Sequence, residues 1–441
     1  MQRRTTRHQR TKPLLRVKTM KTWWKFPILL LLISSLPVIQ SCGGGAGAWE
    51  GTITDSAGIT IVNNTSTPMW GSGDEWTVTE DLRIGTVAGE PEYQFGQIIP
   101  FASIAVDSDG HIYVMDFQAQ DVRVFDAQGQ YVRTLGGPGS GPGEISAQAG
   151  FVFTNPRGEI LVPDLGNQRV SVYSPTGEPA YSFPVDLQSG VPLRWNVDAA
   201  GRLMAQLRGM NVQGIAALAE GDPIVVYDTT GVVTDTVALL PQGQSLAGIS
   251  EEQFSMVIFS PEPAWDLDES GSIFYAMSDQ YRILVNDPEG NLTRILTRPV
   301  ELKAVGEADR NAVLGFFREQ IAATGAPPAQ LDAILQGVGF ADSYPVFSQF
   351  FAGPGGTLWV QRIRSAEDMA EGAEEGVEFN FQDIGSPEWE IFDAEGRYLG
   401  VVTLPDRFAP VSAHGDDLYG VWSDELDVQY VMRLKVNRNP A

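Results

Sequence analysis

The sequence predicts an all-β chain folded as a six-bladed β-propeller. Short runs with the alternation of strands recur along most of the 441 residues. They are joined by turns that end in glycine, and the turn glycines come in pairs at one spacing. Gly110 and Gly129, Gly158 and Gly177, and Gly271 and Gly290 each lie 19 residues apart. Four strands joined by hairpins within about 45 residues form one blade, and several such units form a ring.

Residues 101–145 hold the most regular unit. Its strands are predicted at 103–106, 112–115, 122–125 and 131–135, with turns at 107–110 and 126–129. Asp107 and Asp126 open those turns, where a carboxylate caps the bend, and Gly110 and Gly129 close them, where positive φ is tolerated. A second blade follows around Gly158 and Gly177. The third, around Gly201 and Gly231, has its glycines 30 apart, which places an insertion near 209–223. Gly271 and Gly290 mark the fourth. Gly356 and Gly396 mark the fifth at a spacing of 40, the excess being the acidic stretch 365–388. Residues 411–422 and 427–436 suggest a sixth blade with no fourth strand of its own. The strand-like segments 53–62 and 74–87 are assigned the closing role, since a strand from one terminus can complete a blade from the other.

Residues 303–340 break the pattern. Ala308, Val313, Leu314, Phe317 and Ile321 fall at helical spacing, and Leu331, Ile334 and Leu335 do so again after two prolines. A helical hairpin is therefore expected between blades four and five, capping a mouth of the channel or lying on the rim.

The first 41 residues read as a targeting segment. Nine of the chain's 30 Lys/Arg lie there and no acid does, so the remainder carries 21 basic and 55 acidic residues, a charge of −34. Such a balance disfavours nucleic acid. A basic start from Met20 precedes the apolar run 26–39, too short to span a bilayer comfortably and matched to a signal-peptide core. Ile39-Gln40-Ser41-Cys42 resembles the bacterial lipobox, which implies lipidation of Cys42, membrane attachment through that anchor, and an outer-membrane destination facing the periplasm or the exterior. The expected organisation is a signal peptide over 1–41, with Met20 as a possible start, a tether over 42–52, and a propeller over 53–441 carrying the insertion 303–340. Cys42 is the one cysteine, so neither an intrachain disulfide nor a Cys-based metal site is available.

Asp116 with Arg123, and Asp164 with Arg169, have the look of an active site. A strand-end Asp held by an Arg on the next strand explains them as scaffold. Counting back from each first turn glycine gives a sharper signal. Six residues before it stand Ile104, Val152, Trp195, Trp265 and Phe350, an apolar column expected between blades. Five and seven before it, on the opposite strand face, stand Arg194, Asn196, Asp266 and Gln349. These four are the candidate ligand-binding residues, a polar cluster near the channel. The glycine-rich stretch 136–143 lacks the Lys-Ser/Thr ending of a phosphate loop. The acidic stretch at 371–376 lacks the alternating ligands of an EF-hand, so calcium has no motif behind it.

Gly139-Ser-Gly-Pro-Gly-Glu-Ile145, Asp107-x-x-Gly-x-Ile-Tyr-Val-x-Asp116 and Arg123-Val-x-Phe-Asp-x-x-Gly129 resemble NHL-repeat propellers. Asp164-x-x-Asn167-Gln-Arg169-Val-x-Val-Tyr173 repeats the signature, with Gln168 where the eponymous histidine stands. The resemblance covers residues 101–187 and implies a six-bladed ring. Such propellers include protein-binding modules, lyases and lactonases, so the fold does not select among them. Amidating-lyase-like sites use several histidines for zinc, whereas only His111 and His414 lie beyond the leader. No catalytic residue, metal site or cofactor is assigned. The expected role is a binding module for a protein, peptide or glycan. The alternatives are a divalent-cation-dependent hydrolase or lyase working in the channel, and a scaffold subunit of an envelope complex.

Overall fold

A computed structural model describes residues 48–209, 221–243, 256–323, 325, 327–365 and 384–438. Every described residue belongs to one compact unit, Gly45–Ala441. Most of the expected insertion at 209–223 and of the acidic stretch 365–388 lies outside the described residues.

Three strands precede the first blade: β1 (Thr52–Ser56), β2 (Ile59–Asn63) and β3 (Thr77–Ile84). Blade one is β4 (Ile104–Val106), β5 (Ile112–Asp116), β6 (Asp121–Phe125) and β7 (Tyr131–Gly136). Blade two is β8 (Phe153–Thr154), β9 (Ile160–Asp164), β10 (Arg169–Tyr173) and β11 (Pro179–Pro184). Blade three is β12 (Val191–Val197), β13 (Leu203–Arg208), β14 (Asp222–Tyr227) and β15 (Val233–Leu240). After β16 (Met256–Ile258) comes blade four, β17 (Pro263–Leu267), β18 (Ile273–Met277), β19 (Arg282–Asn286) and β20 (Leu292–Thr297). The helices α1 (Glu307–Ala323) and α2 (Pro328–Gln336) and the strand β21 (Val338–Phe340) come next. Blade five is β22 (Phe350–Gly353), β23 (Thr357–Ile363), β24 (Gly385–Phe392) and β25 (Tyr398–Thr403). Blade six is β26 (Phe408–His414), β27 (Asp417–Ser423) and β28 (Gln429–Asn437). The chain is a six-bladed β-propeller.

The turns work as their residues require. Asp268 Oδ1 accepts from the backbone N–H of Ser270 and of Ser272, both at 2.9 Å, and Gly271 sits at φ 84°. The same two-bond cap recurs at Asp107, Asp126, Asp198, Asp228, Asp287, Asp393 and Asp424. An Asp that satisfies two turn donors, followed by a residue free to adopt positive φ, makes each hairpin locally self-sufficient.

Blade six draws its fourth strand from the start of the chain. β3 pairs antiparallel with β28, with Ile84 opposite Val431. The segment 53–62 does something else. β1 and β2 form a hairpin whose β2 runs parallel to β20, widening the blade-four sheet to six strands. Asn64, buried at its end, explains the placement. Its Nδ2 donates to the carbonyls of Gly396 and Thr297 at 3.0 and 3.3 Å, and its Oδ1 accepts from the Tyr398 N–H at 2.7 Å. One side chain thus ties the leading segment across blades four and five.

The core is a ring of interfaces. Six clusters of buried side chains each join two consecutive blades. One of them packs Tyr419, Val421 and Val431 of blade six against Ile104, Ile112 and Phe125 of blade one, closing the circle. The apolar column supplies central members of these clusters: Ile104, Val152, Trp195, Trp265 and Phe350 are all 2% exposed or less. A further cluster (Ile258, Phe259, Val305, Val313 and Tyr344) seats α1 on the inserted unit, where β16 and β21 pair in parallel outside the blades. Among the described residues no helix is long and apolar enough to cross a membrane.

Candidate functional site in the propeller channel

All six innermost strands, β4, β8, β12, β17, β22 and β26, contribute to the wall of one cavity of about 460 Å³. This volume lies in the range of small-ligand sites. Blade geometry makes the wall from alternate residues. The apolar column packs between blades, and its neighbours along each strand face the channel. Arg194, Asn196, Asp266 and Gln349 all lie on that wall.

Three of the four meet. Asp266 Oδ1 accepts from Asn196 Nδ2 at 2.7 Å and lies 3.6 Å from Arg194 Nη2. Asp266 Oδ2 accepts from the Ala352 backbone N–H at 2.9 Å, which links blade four to blade five. The Asp266 side chain is 14% exposed, and burial raises its pKa although Arg194, Ala352 and Asn196 all favour the charged form. Arg194 is more open, at 34%, with its guanidinium 5.9 Å from the centre of the Trp265 ring. Gln349 stands apart. Its Nε2 donates to Gln361 Oε1 at 2.9 Å, within blade five.

Two features of the wall were not singled out from sequence. The first is aromatic. Phe101, Phe153 and Phe351 line the same cavity. Phe351 is held against Trp359 and edge-on to Trp389, with centroids 5.7 and 5.1 Å away. Phe101 is 53% exposed and rests on Phe151 at 5.8 Å. The second is a pair of β-bulges. In β12 the register slips between Pro192 and Arg194, and in β26 it slips between Pro410 and Ser412. The skipped residues, Leu193 and Val411, both line the cavity. Blades three and six stand opposite each other in a six-membered ring, so the channel is re-shaped from two sides. Ser412 also lines it, and its Oγ is buried without a hydrogen-bond partner.

The Asp/Arg pairs of the first two blades are scaffold, though not in one way. Asp116, fully buried, accepts from the N–H groups of Gly96, Gln97, Gln118 and Ala119 and lies 3.2 Å from Arg123 Nη2. Asp164 is bound instead by Ser146 and Asn167. The expected Asp164–Arg169 pair is replaced by another arrangement. Arg169 donates to the carbonyls of Ser140, Gly141 and Glu144 at 3.1, 2.6 and 2.9 Å, clamping the glycine-rich crossover. Arg123 does likewise with the Gln94 carbonyl at 2.6 Å. A guanidinium presents five donors in a rigid fork, so it can gather a loop's carbonyls as readily as a carboxylate. Among the described residues no group of three or more His, Cys, Asp or Glu is placed to hold a metal ion.

Comparison with known proteins agrees with this architecture. Residues 102–192 match the family model DUF5128, described as a 6-bladed beta-propeller. No curated protein matches the chain. Among solved structures, an exported protein of Bacteroides fragilis aligns with a TM-score of 0.50 at 12% identity, covering 86% of this chain and 99% of its own. A DUF4221-family protein of Bacteroides vulgatus aligns at 0.49 and 10% identity over 83% of this chain and 99% of its own. Virginiamycin B lyase of Staphylococcus aureus aligns at 0.40 and 9% identity over 82% and 99%. At such identities the likeness concerns the fold alone; the family match and the six blade sheets support the conclusion that this chain is a six-bladed β-propeller.

Proposed function

We propose that the protein is a lipid-anchored envelope binding module that takes a hydroxyl-rich ligand, one or two sugar units of a glycan, in its channel. The observation that carries this reading is the mixed wall. A polar arc of Arg194, Asn196 and Asp266 on blades three and four is flanked by Phe153 of blade two and Phe351 of blade five, with Phe101 just ahead of blade one, around about 460 Å³. Sugars present hydroxyls in the plane of the ring and C–H groups on its faces, which such a wall matches with amides, charges and aromatic rings. Asp266 spends its oxygens on Asn196, Arg194 and Ala352, an arrangement suited to holding donors in place rather than to exchanging protons.

Isothermal titration with maltose, cellobiose, xylobiose and chitobiose tests the reading. At least one should bind saturably, and Asn196→Ala should weaken it about tenfold, the worth of one or two hydrogen bonds. No saturable heat with any of the four, or equal affinity in the variant, rejects it. The anchor is tested separately: Cys42→Ala should move the protein from the membrane fraction to the soluble one. Retention in the membrane by that variant counts against lipidation at Cys42.

A further inference from the structure

A second cavity, of about 380 Å³, lies between blades four and five beside the linker that leads to α1, and it shares no lining residue with the channel. Its floor is built around Glu390, 4% exposed. Glu390 Oε2 accepts from Tyr281 Oη at 2.7 Å and from Arg298 Nη1 at 3.1 Å, and Oε1 accepts from Arg362 Nε at 3.0 Å. Arg362 is shared with Glu388, its Nη1 lying 2.8 Å from Glu388 Oε2.

Arg298 is the cation left short. Its side chain is 11% exposed and its guanidinium is fixed over the rings of Tyr398 and Tyr281, at 4.7 and 5.4 Å. Its Nε is buried and carries no hydrogen-bond partner. A guanidinium with one buried donor unmet is short of acceptors, and its 11% exposed edge is where a ligand in the cavity would add one. The rim has the opposite character. Val300 and Leu302 line the cavity yet are 38% and 56% exposed, apolar surface with no cover of its own, and they alternate along the rim with the charged Glu301 and Lys303. A rigid, incompletely satisfied guanidinium below and an aliphatic rim above ask for a molecule with one anionic end and one apolar end.

We propose that this cavity is a second ligand site, taking a small organic carboxylate with an aliphatic body. The carboxylate oxygens meet Arg298 on the floor, and the carbon chain covers Val300 and Leu302. Arg362 stays with Glu390 and Glu388, and its pairing keeps the floor from collapsing onto the ligand.

The experiment is titration calorimetry of the purified protein with hexanoate, with hexylamine and inorganic phosphate as comparisons. Hexanoate should bind saturably, and the other two should not. Leu302→Glu changes a side chain already in solvent, so the fold is kept, and it should weaken hexanoate at least about tenfold by removing apolar cover and adding a like charge. Arg298→Met should abolish binding, with circular dichroism confirming the β-sheet signal. Absence of saturable hexanoate binding overturns the proposal. So does phosphate binding as tightly as hexanoate, which would leave the apolar rim without a role. A third contrary result is loss of binding in Arg194→Gln with none in Leu302→Glu, which would place the anion in the channel.

Discussion

Asp266 shows what a single side chain settles here. It sits on the innermost strand of blade four, gathers Asn196 and Arg194 from blade three, and takes the Ala352 N–H from blade five. Burial holds its carboxyl above the ordinary value, against the pull of those donors. A raised folded-state value means that the folded protein holds this proton more tightly than the unfolded chain does. The group's contribution to stability is therefore complete below the unfolded value, near about 4, and is lost as pH climbs through the raised one. Asp266→Asn removes that titration. Urea midpoints of the two proteins should shift in the variant's favour as pH rises from about 4 to 7. A difference that stays flat, or moves the other way, contradicts the assignment. The position of this residue was legible because the turn glycines act as a ruler and strand alternation does the rest. Ser412 was not legible, since its strand has a bulge that breaks the same count. Arg169 was misplaced because sequence shows which donor is near which strand end, not whether a carboxylate or three carbonyls will take it.

At the level of elements, the departures from the regular blade are the informative ones. Blade one keeps both turns and has one bulge, between Val124 and Phe125 on its outer pair, away from the channel. The bulges in β12 and β26 instead add one residue each where the channel wall runs. Bulges bend a strand and re-aim its side chains, and they cost ladder hydrogen bonds, so two at one cavity suggest that its shape matters. The leading segment divides into two elements with different duties. β3 completes blade six, and its Ile84 is 2% exposed in the cluster that joins blade six to blade one. β1 is an outer-edge strand with Ile53 at 53% exposure. Ile84→Ala should therefore cost about 2–4 kcal/mol of unfolding free energy, and Ile53→Ala less than about 0.5 kcal/mol. Equal costs in a denaturant titration would mean that β3 is not the closing strand. Sequence spacing alone gave both segments the same duty, because both alternate; what separates them is Asn64, whose bonds to Thr297, Gly396 and Tyr398 lie more than 200 residues away.

On the scale of the whole molecule, closure is a circle of six apolar interfaces, so no blade is stable without its neighbours and the channel is a by-product of the ring. The ring holds the channel wall rigid, and a rigid site loses little entropy when it binds. The most direct test of binding in this channel uses the chain's single cysteine. In a Cys42→Ser background, Ala413→Cys places one thiol on the channel wall, in a part-exposed position. Its rate of modification by a small maleimide is then measured with and without a saturating concentration of the tightest-binding disaccharide. Occupancy of the channel predicts that labelling slows at least about tenfold, in step with saturation. An unchanged rate at full saturation would contradict the account, because the ligand would then be bound somewhere else.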